Sequence, residues 1–347
     1  LKDRQITEYQ NNWSSTDPLT SDTTVNAAGG AITMTSGAND DAFTQIGAGG
    51  KAIDGVITSV TNVTANGVTM LSGSGDDTFS QIGAGGNDSD TNITGDTNLT
   101  NAGALSMTSG TGDDAYVQVG VGGNDADGNH NSNTTVTLGG DLTMNAAAGT
   151  SDSYVQIGAG GTSIAGNLIG NTSVTGADAI TMTAGGADSY AMIGLGGDDT
   201  DGTKNGTTTV SGNSIAMTGG AGGDAFVQIG AGGNEATGDI TGAVDVDTLA
   251  GGITMTSGAG TDAYAQIGSG GLNVDGNHTS TTNVNTVGGG LILDAATSGG
   301  NDSYVQIGLG GRDTDGNLSG DIAVVVDGNV SLLSGAGNGA STQIGVG

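Results

Sequence analysis

Short apolar runs alternate with polar residues along this chain, and the alternation returns in phase about every 37 residues. The phrase aromatic-x-Gln-Ile-Gly marks the period. Its glutamine falls at Gln45, Gln81, Gln118, Gln156, Gln228, Gln266, Gln306 and Gln343, with Met192 holding the place between Gln156 and Gln228, at spacings of 36 to 40 residues. A repeat of this length is one supersecondary unit that must stack on copies of itself to bury an apolar face. In the unit 101–139 the period-two pattern predicts three strands, 104–109, 115–121 and 134–138, with a long acidic corner at 122–132. Gly and β-branched residues dominate every window, which leaves no helix.

The same alternation sorts the faces. Leu105 and Met107 share an inward face, and the methionine returns as Met34, Met70, Met144, Met182, Met217 and Met255, with Leu293 and Leu333 in the last two repeats. In the next strand Ala115, Val117 and Val119 alternate with Asp114, Tyr116 and Gln118. The first set is expected inside and the second outside, with the aromatic partly covered by the Gly-rich segment that follows; the alternative places aromatic and glutamine inside. The aromatic column is Phe43, Phe79, Tyr116, Tyr154, Tyr190, Phe226, Tyr264 and Tyr304. Stacked rings gain about 0.5–1.5 kcal/mol per neighbour beyond burial, and glutamines in register bond along the stack. The expected architecture is an all-β parallel solenoid (β-helix) of about nine coils, one large coil per repeat. At about 4.8 Å per coil the rod is about 43 Å long. Residues 1–19 form a non-repeat segment and 20–347 the solenoid.

Composition narrows the class. There are 71 glycines and one proline among 347 residues, which excludes collagen and polyproline rods. Low hydropathy with high charge is also the signature of disorder, but the apolar residues here are phased. The net charge of −31 sets 36 acids against only Lys2, Arg4, Lys51, Lys204 and Arg312. Nucleic acid and anionic membrane surfaces are therefore poor partners, and cations or water are the natural complement. The absence of cysteine removes disulfides, thiolate catalysis and Cys-ligated metals, and no apolar run approaches the ~20 residues that span a bilayer. The chain opens at Leu1 without a signal sequence, as expected of a processed or partial chain.

Stacking brings acids together. Asp41, Asp77, Asp114, Asp152, Asp188, Asp224, Asp262 and Asp302 form one column. Carboxylates about 5 Å apart repel by about 0.8 kcal/mol even in water. The corners add Asp125 and Asp127, Asp199 and Asp201, and Asp313 and Asp315 in D-x-D-G arrangements. Such oxygens on alternate residues open many calcium loops, although the downstream bidentate Glu is missing; these residues are candidate Ca2+ ligands. The competing reading makes them turns whose Asp and Asn cap backbone amides. Residues 73–79, GSGDDTF, resemble the nonapeptide of repeats-in-toxin β-rolls without forming a run. His130 and His278 occupy equivalent Gly-Asn-His corners and read as variable loop residues. With the acids spread by the period, no acid–base cluster emerges and no enzyme is expected. Asn-x-Ser/Thr sequons such as Asn62 and Asn171 allow glycan decoration.

The full phrase Gly-Asp-Asp-Ala-Tyr/Phe-x-Gln-Ile-Gly-x-Gly-Gly, repeated over residues 30–347, resembles the repeats of filamentous-haemagglutinin-type bacterial surface proteins. That resemblance implies a right-handed parallel β-solenoid, secretion to the cell surface, and a role in adhesion or matrix. The expected function is a structural subunit of an extracellular filament, sheath or surface fibre, built by head-to-tail stacking of copies. The alternative is a rod segment of a secreted calcium-binding adhesin that binds glycans or host proteins. Ile6, Tyr9 and Trp13 are candidates to cover a coil edge of their own rod or of the preceding subunit.

Overall fold

The computed structural model describes residues 17–147, 151–295 and 300–347. Ile6, Tyr9 and Trp13 lie outside the described residues. The described residues contain no helix, and nine coils stack into a parallel β-solenoid. One coil shows how each is built. A threonine strand, Thr97–Asn101, leads to a methionine strand, Leu105–Thr108, then a glutamine strand, Tyr116–Asn124, and a short strand, His130–Asn131. Each pairs in parallel with its counterparts in the coils before and after, so Met107 sits between Met70 and Met144 and Gln118 between Gln81 and Gln156. The glutamine strands make one sheet and the other three sets merge into a second. One large coil per repeat is what forms.

Three features depart from expectation. The eighth methionine-column residue, Leu293, pairs with Leu332 and not Leu333, because Val330 opens that strand opposite Leu291 and fixes the alternation. The acidic corner contains the short strand His130–Asn131.

The third correction concerns the glutamine strand. Tyr116 and Gln118 do not face outward; every residue of Tyr116–Asn124 is buried. Val117 and Val119 pack into the methionine core, while the rings form a separate cluster on the other side. What covers them is the strand's own Gly-x-Gly-Gly continuation. The Gln118 amide donates to the Val121 carbonyl at 3.1 Å, and a Cβ on Gly123 would stand 2.8 Å from the Tyr116 hydroxyl. Gly120, at φ +141°, leaves no more room: its Cβ would lie 1.9 Å from the Gly158 carbonyl oxygen one coil on. Only glycine allows backbone to approach backbone and ring this closely.

The rings stack from Phe43 to Tyr304 with centroids 4.7–5.0 Å apart and planes within 6° of parallel. The glutamines stack differently along the rod. Gln45 donates to the side-chain oxygen of Gln81 and Gln81 to that of Gln118, each at 3.0 Å. From Gln118 onward the described amide bonds between coils run to glycine carbonyls, as from Gln118 to Gly160 at 3.1 Å and from Gln156 to Gly196 at 3.0 Å. A second interior column was not anticipated: Thr61, Thr97, Thr134, Thr172 and Thr208 are buried beside the first glycine of the phrase.

The hydroxyls of Tyr116 and Tyr154, at the ends of these rings, have no hydrogen-bond partner. Stability at the ladder therefore comes from the rings. Tyr154→Ala is expected to cost about 3–5 kcal/mol, whereas Tyr154→Phe should match or exceed the wild type in denaturant melts. Equal losses in the two variants would contradict the ring-based account.

Candidate functional site

Two turn columns flank the arch over the aromatic ladder, and both are left-handed. The residues of the first, from Asp41 and Asp77 to Asp302, hold φ between 51° and 61°. The second, Ala52, Asp88, Asp125, Ser163, Asp199, Glu235, Asn273 and Asp313, holds φ between 47° and 56°. A non-glycine residue in this region is most often Asn or Asp, so the backbone explains why polar residues recur there. It does not explain why all eight places in the first column are Asp, the choice that repels itself.

Between the columns runs a third, in register: Lys51 with Asn87, Asn124 with Thr162, then Asp198, Asn234, Leu272 and Arg312. Together the three make an acidic groove along the rod. At one end the Lys51 ammonium pairs with Asp41 and lies 3.6 Å from Asp88. At the other, the Arg312 guanidinium pairs with Asp262 and lies 3.4 Å from both Asp302 and Asp313. In the middle coils Asp114, Asp125, Asp152, Asp188, Asp198, Asp199 and Glu235 meet no side-chain cation among the described residues. Burial, reinforced by Asp152, Asp77 and Asp125, pushes the Asp114 carboxyl up to about 7. Burial, then Asp152, Asp224 and Glu235, raises Asp188 to about 6. Burial raises Asp198 to about 8, opposed by the amide of Asn234 donating at 2.7 Å.

The sequence-predicted calcium residues lie at the outer edge of this groove. Asp125, Asp127, Asp199, Asp201, Asp313 and Asp315 are exposed. Two of them bond to the following coil: Asp127 accepts the Ala165 N–H at 2.7 Å, and Asp201 accepts the Thr237 hydroxyl at 2.5 Å. Among the described residues no group of three His, Cys, Asp or Glu is arranged to hold a metal ion. Asp127 and Asp201 thus cap groups of the following coil.

The structure corrects the expectation that the histidines are variable loop residues. His130 and His278 are fully buried, in a column that runs Leu19, Ile57, Ile93, His130, Leu168, Lys204, Ile240, His278 and Leu318. Lys204 shares that interior and donates to the carbonyls of Thr200, Gly202 and Thr237 at 2.5, 3.1 and 2.8 Å. Burial pulls Lys204 down to about 7 and His130 down to about 4. His278 is lowered too, by burial first. Neither ring nitrogen of His278 has a hydrogen-bond partner. Aligning the repeats on this short strand gives the signal that was missed: the column is otherwise aliphatic, so its polar members are interior.

The fold defines a parallel β-solenoid with an enclosed aromatic–glutamine ladder and an acidic groove. No family profile, curated protein or solved structure matches the chain.

The shifted groups set a pH profile with worked signs. Carboxyls raised in the folded state favour folding in acid, and this contribution is lost as pH rises through about 6 to 8 for Asp188, Asp114 and Asp198. Lys204 acts oppositely: its contribution is complete above the free value of 10.5 and lost as pH falls to about 7. His130 loses its contribution between 6.5 and about 4. Three carboxyls outweigh the histidines, so the melting temperature should rise as pH falls from 7 to 5. It should also rise from pH 8 to about 9.5, below the range where the buried tyrosines oppose it, and Lys204→Leu should remove that alkaline limb. Melts across this range check both slopes.

Proposed function

We propose that the chain is a structural rod of an extracellular filament, sheath or surface fibre, lengthened by stacking one copy on the next. The observation that carries the reading is the in-register parallel pairing of each coil with the next through the same residues, as at Met70, Met107 and Met144 and at Gln81, Gln118 and Gln156. A coil of this kind is a template for parallel pairing, and a heterologous head-to-tail contact propagates when it does not close into a ring.

The first coil offers the complementary face. Continuing the register would set Leu332 against a second copy's Met34, Ser341 against its Phe43 and Gln343 against its Gln45. The amide polarity matches as well, because Gln45 donates toward Gln81 and Gln343 would donate in the same direction. Resemblance of the repeats to filamentous-haemagglutinin-type proteins supports the extracellular setting. The competing proposal, a stalk segment of a calcium-binding adhesin, has the same rod as a monomer.

Electron microscopy and sedimentation of the purified chain distinguish them. Filaments with an axial subunit of about 43 Å are expected, and Leu332→Lys with Ile344→Lys should leave folded single rods. Wild-type rods that stay monomeric at all concentrations would overturn assembly and favour the stalk.

A further inference from the structure

We propose that the corner at 272–280 is an acid-operated latch: proton uptake by its buried His278 opens this corner of the rod while the methionine core and the ring ladder stay closed. Three observations support it.

The first is where the imidazole stands. His278 is fully buried, and neither ring nitrogen has a hydrogen-bond partner. Its register neighbours are Ile240 in the coil before and Leu318 in the coil after. Val274 of the same corner belongs to the small apolar cluster that also holds Ile240. Ser280, two residues on and also buried, has its hydroxyl bonded to that of Ser269 at 2.8 Å. An imidazolium carries two N–H donors, and left unpartnered inside an apolar cluster it is costly. The His130 ring, four coils earlier in the same column, differs: it bonds the Ala126 backbone.

The second is the charge around it. The carboxylates on the neighbouring elements are Glu235 and Asp239 in the coil before, Asp275 in its own corner, and Asp313 and Asp315 in the coil after. All five are exposed. Of the cations, Arg312 is paired with Asp262 and lies beside Asp302 and Asp313, while Lys204 shares the buried column one coil beyond Ile240. Burial first holds the imidazole below its ordinary 6.5, opposed by Asp239 and aided by Lys204. The neutral ring therefore stabilises the closed corner fully above 6.5, and this contribution is lost as pH falls through the lowered value.

The third is that the corner is able to move alone. Its apolar cluster is separate from the methionine core. Single backbone bonds tie it to its neighbours. The Asn273 and Gly276 N–H groups donate to Arg312 and Asp315 in the coil after, each at 3.0 Å, and the Asp275 N–H donates to Ala236 in the coil before at 2.9 Å. Asn273 at φ 51° and Gly276 at φ 125° shape the turn between them. Segments with few buried contacts and exposed backbone bonds open locally, at a free energy below that of global unfolding.

Hydrogen exchange of the full chain, read by mass spectrometry at several pH values between 7 and about 4.5, tests the latch. Each rate is divided by the free-peptide rate at the same pH. Below 6.5 the opening of 272–280 should become about tenfold more frequent per pH unit, down to the lowered His278 value. The strands 105–108 and 116–121 should keep their protection. His278→Leu installs the residue that the column already carries at Leu168 and Leu318. It should abolish the acid response and leave protection at pH 7 intact, whereas His130→Leu should leave the response in place. If His278→Leu does not fold, His278→Gln serves as the variant that takes up no proton. Protection at 272–280 that is constant across the range would overturn the proposal. So would an equal acid response in the folded His278 variant, which would assign it to the corner carboxylates, or loss of protection along the whole rod at once.

Discussion

Everything in this molecule follows from one constraint, the in-register parallel step that places each residue over its counterpart one coil away. Backbone pairing sets that step near 4.8 Å, and the ring centroids follow it at 4.7–5.0 Å. A column must therefore tolerate itself. Rings, methionines and amides do, and they line the interior. Carboxylates do not, and the column of eight aspartates stands in left-handed turns at the edge of the stack. Glycine is the remaining condition: the arch over the ladder brings backbone to within contact of the next coil's carbonyls, so that the residue after Gln-Ile has no space for a side chain.

Much of this was legible in the sequence. The period, the methionine column and the aromatic column needed only phase, because identical residues recur where identical environments recur. The inside–outside sense of the glutamine strand was not legible from alternation. Period-two patterning assumes that one face is solvated, and here both faces are covered, one by the core at Val117 and Val119 and one by the chain's own glycines. An amide and an aromatic ring looked like surface residues for the same reason. The buried His130, Lys204 and His278 were hidden because a two-residue strand is too short to show alternation, and only comparison across coils reveals that their neighbours are Leu and Ile.

The site was less legible than the fold. The Asp column could be counted in the sequence, but its partner column and the Lys51 and Arg312 bridges exist only once the corner folds back across the strand. The D-x-D-G corners drew attention by local pattern, while the stronger electrostatics lies between turns about ten residues apart. The groove is a lateral consequence of stacking, since it concentrates charge along the side of the rod.

Spectrophotometric titration of tyrosine tests the enclosed ladder most directly. Burial holds the hydroxyls of Tyr116, Tyr154, Tyr190, Tyr264 and Tyr304 well above the ordinary value of 10.0. In the folded protein these five should resist ionisation until alkali unfolds the rod, when they appear together in one cooperative step. Gradual ionisation of the ladder tyrosines near pH 10 with the β spectrum intact would contradict the account, since it would place the rings on the solvent face.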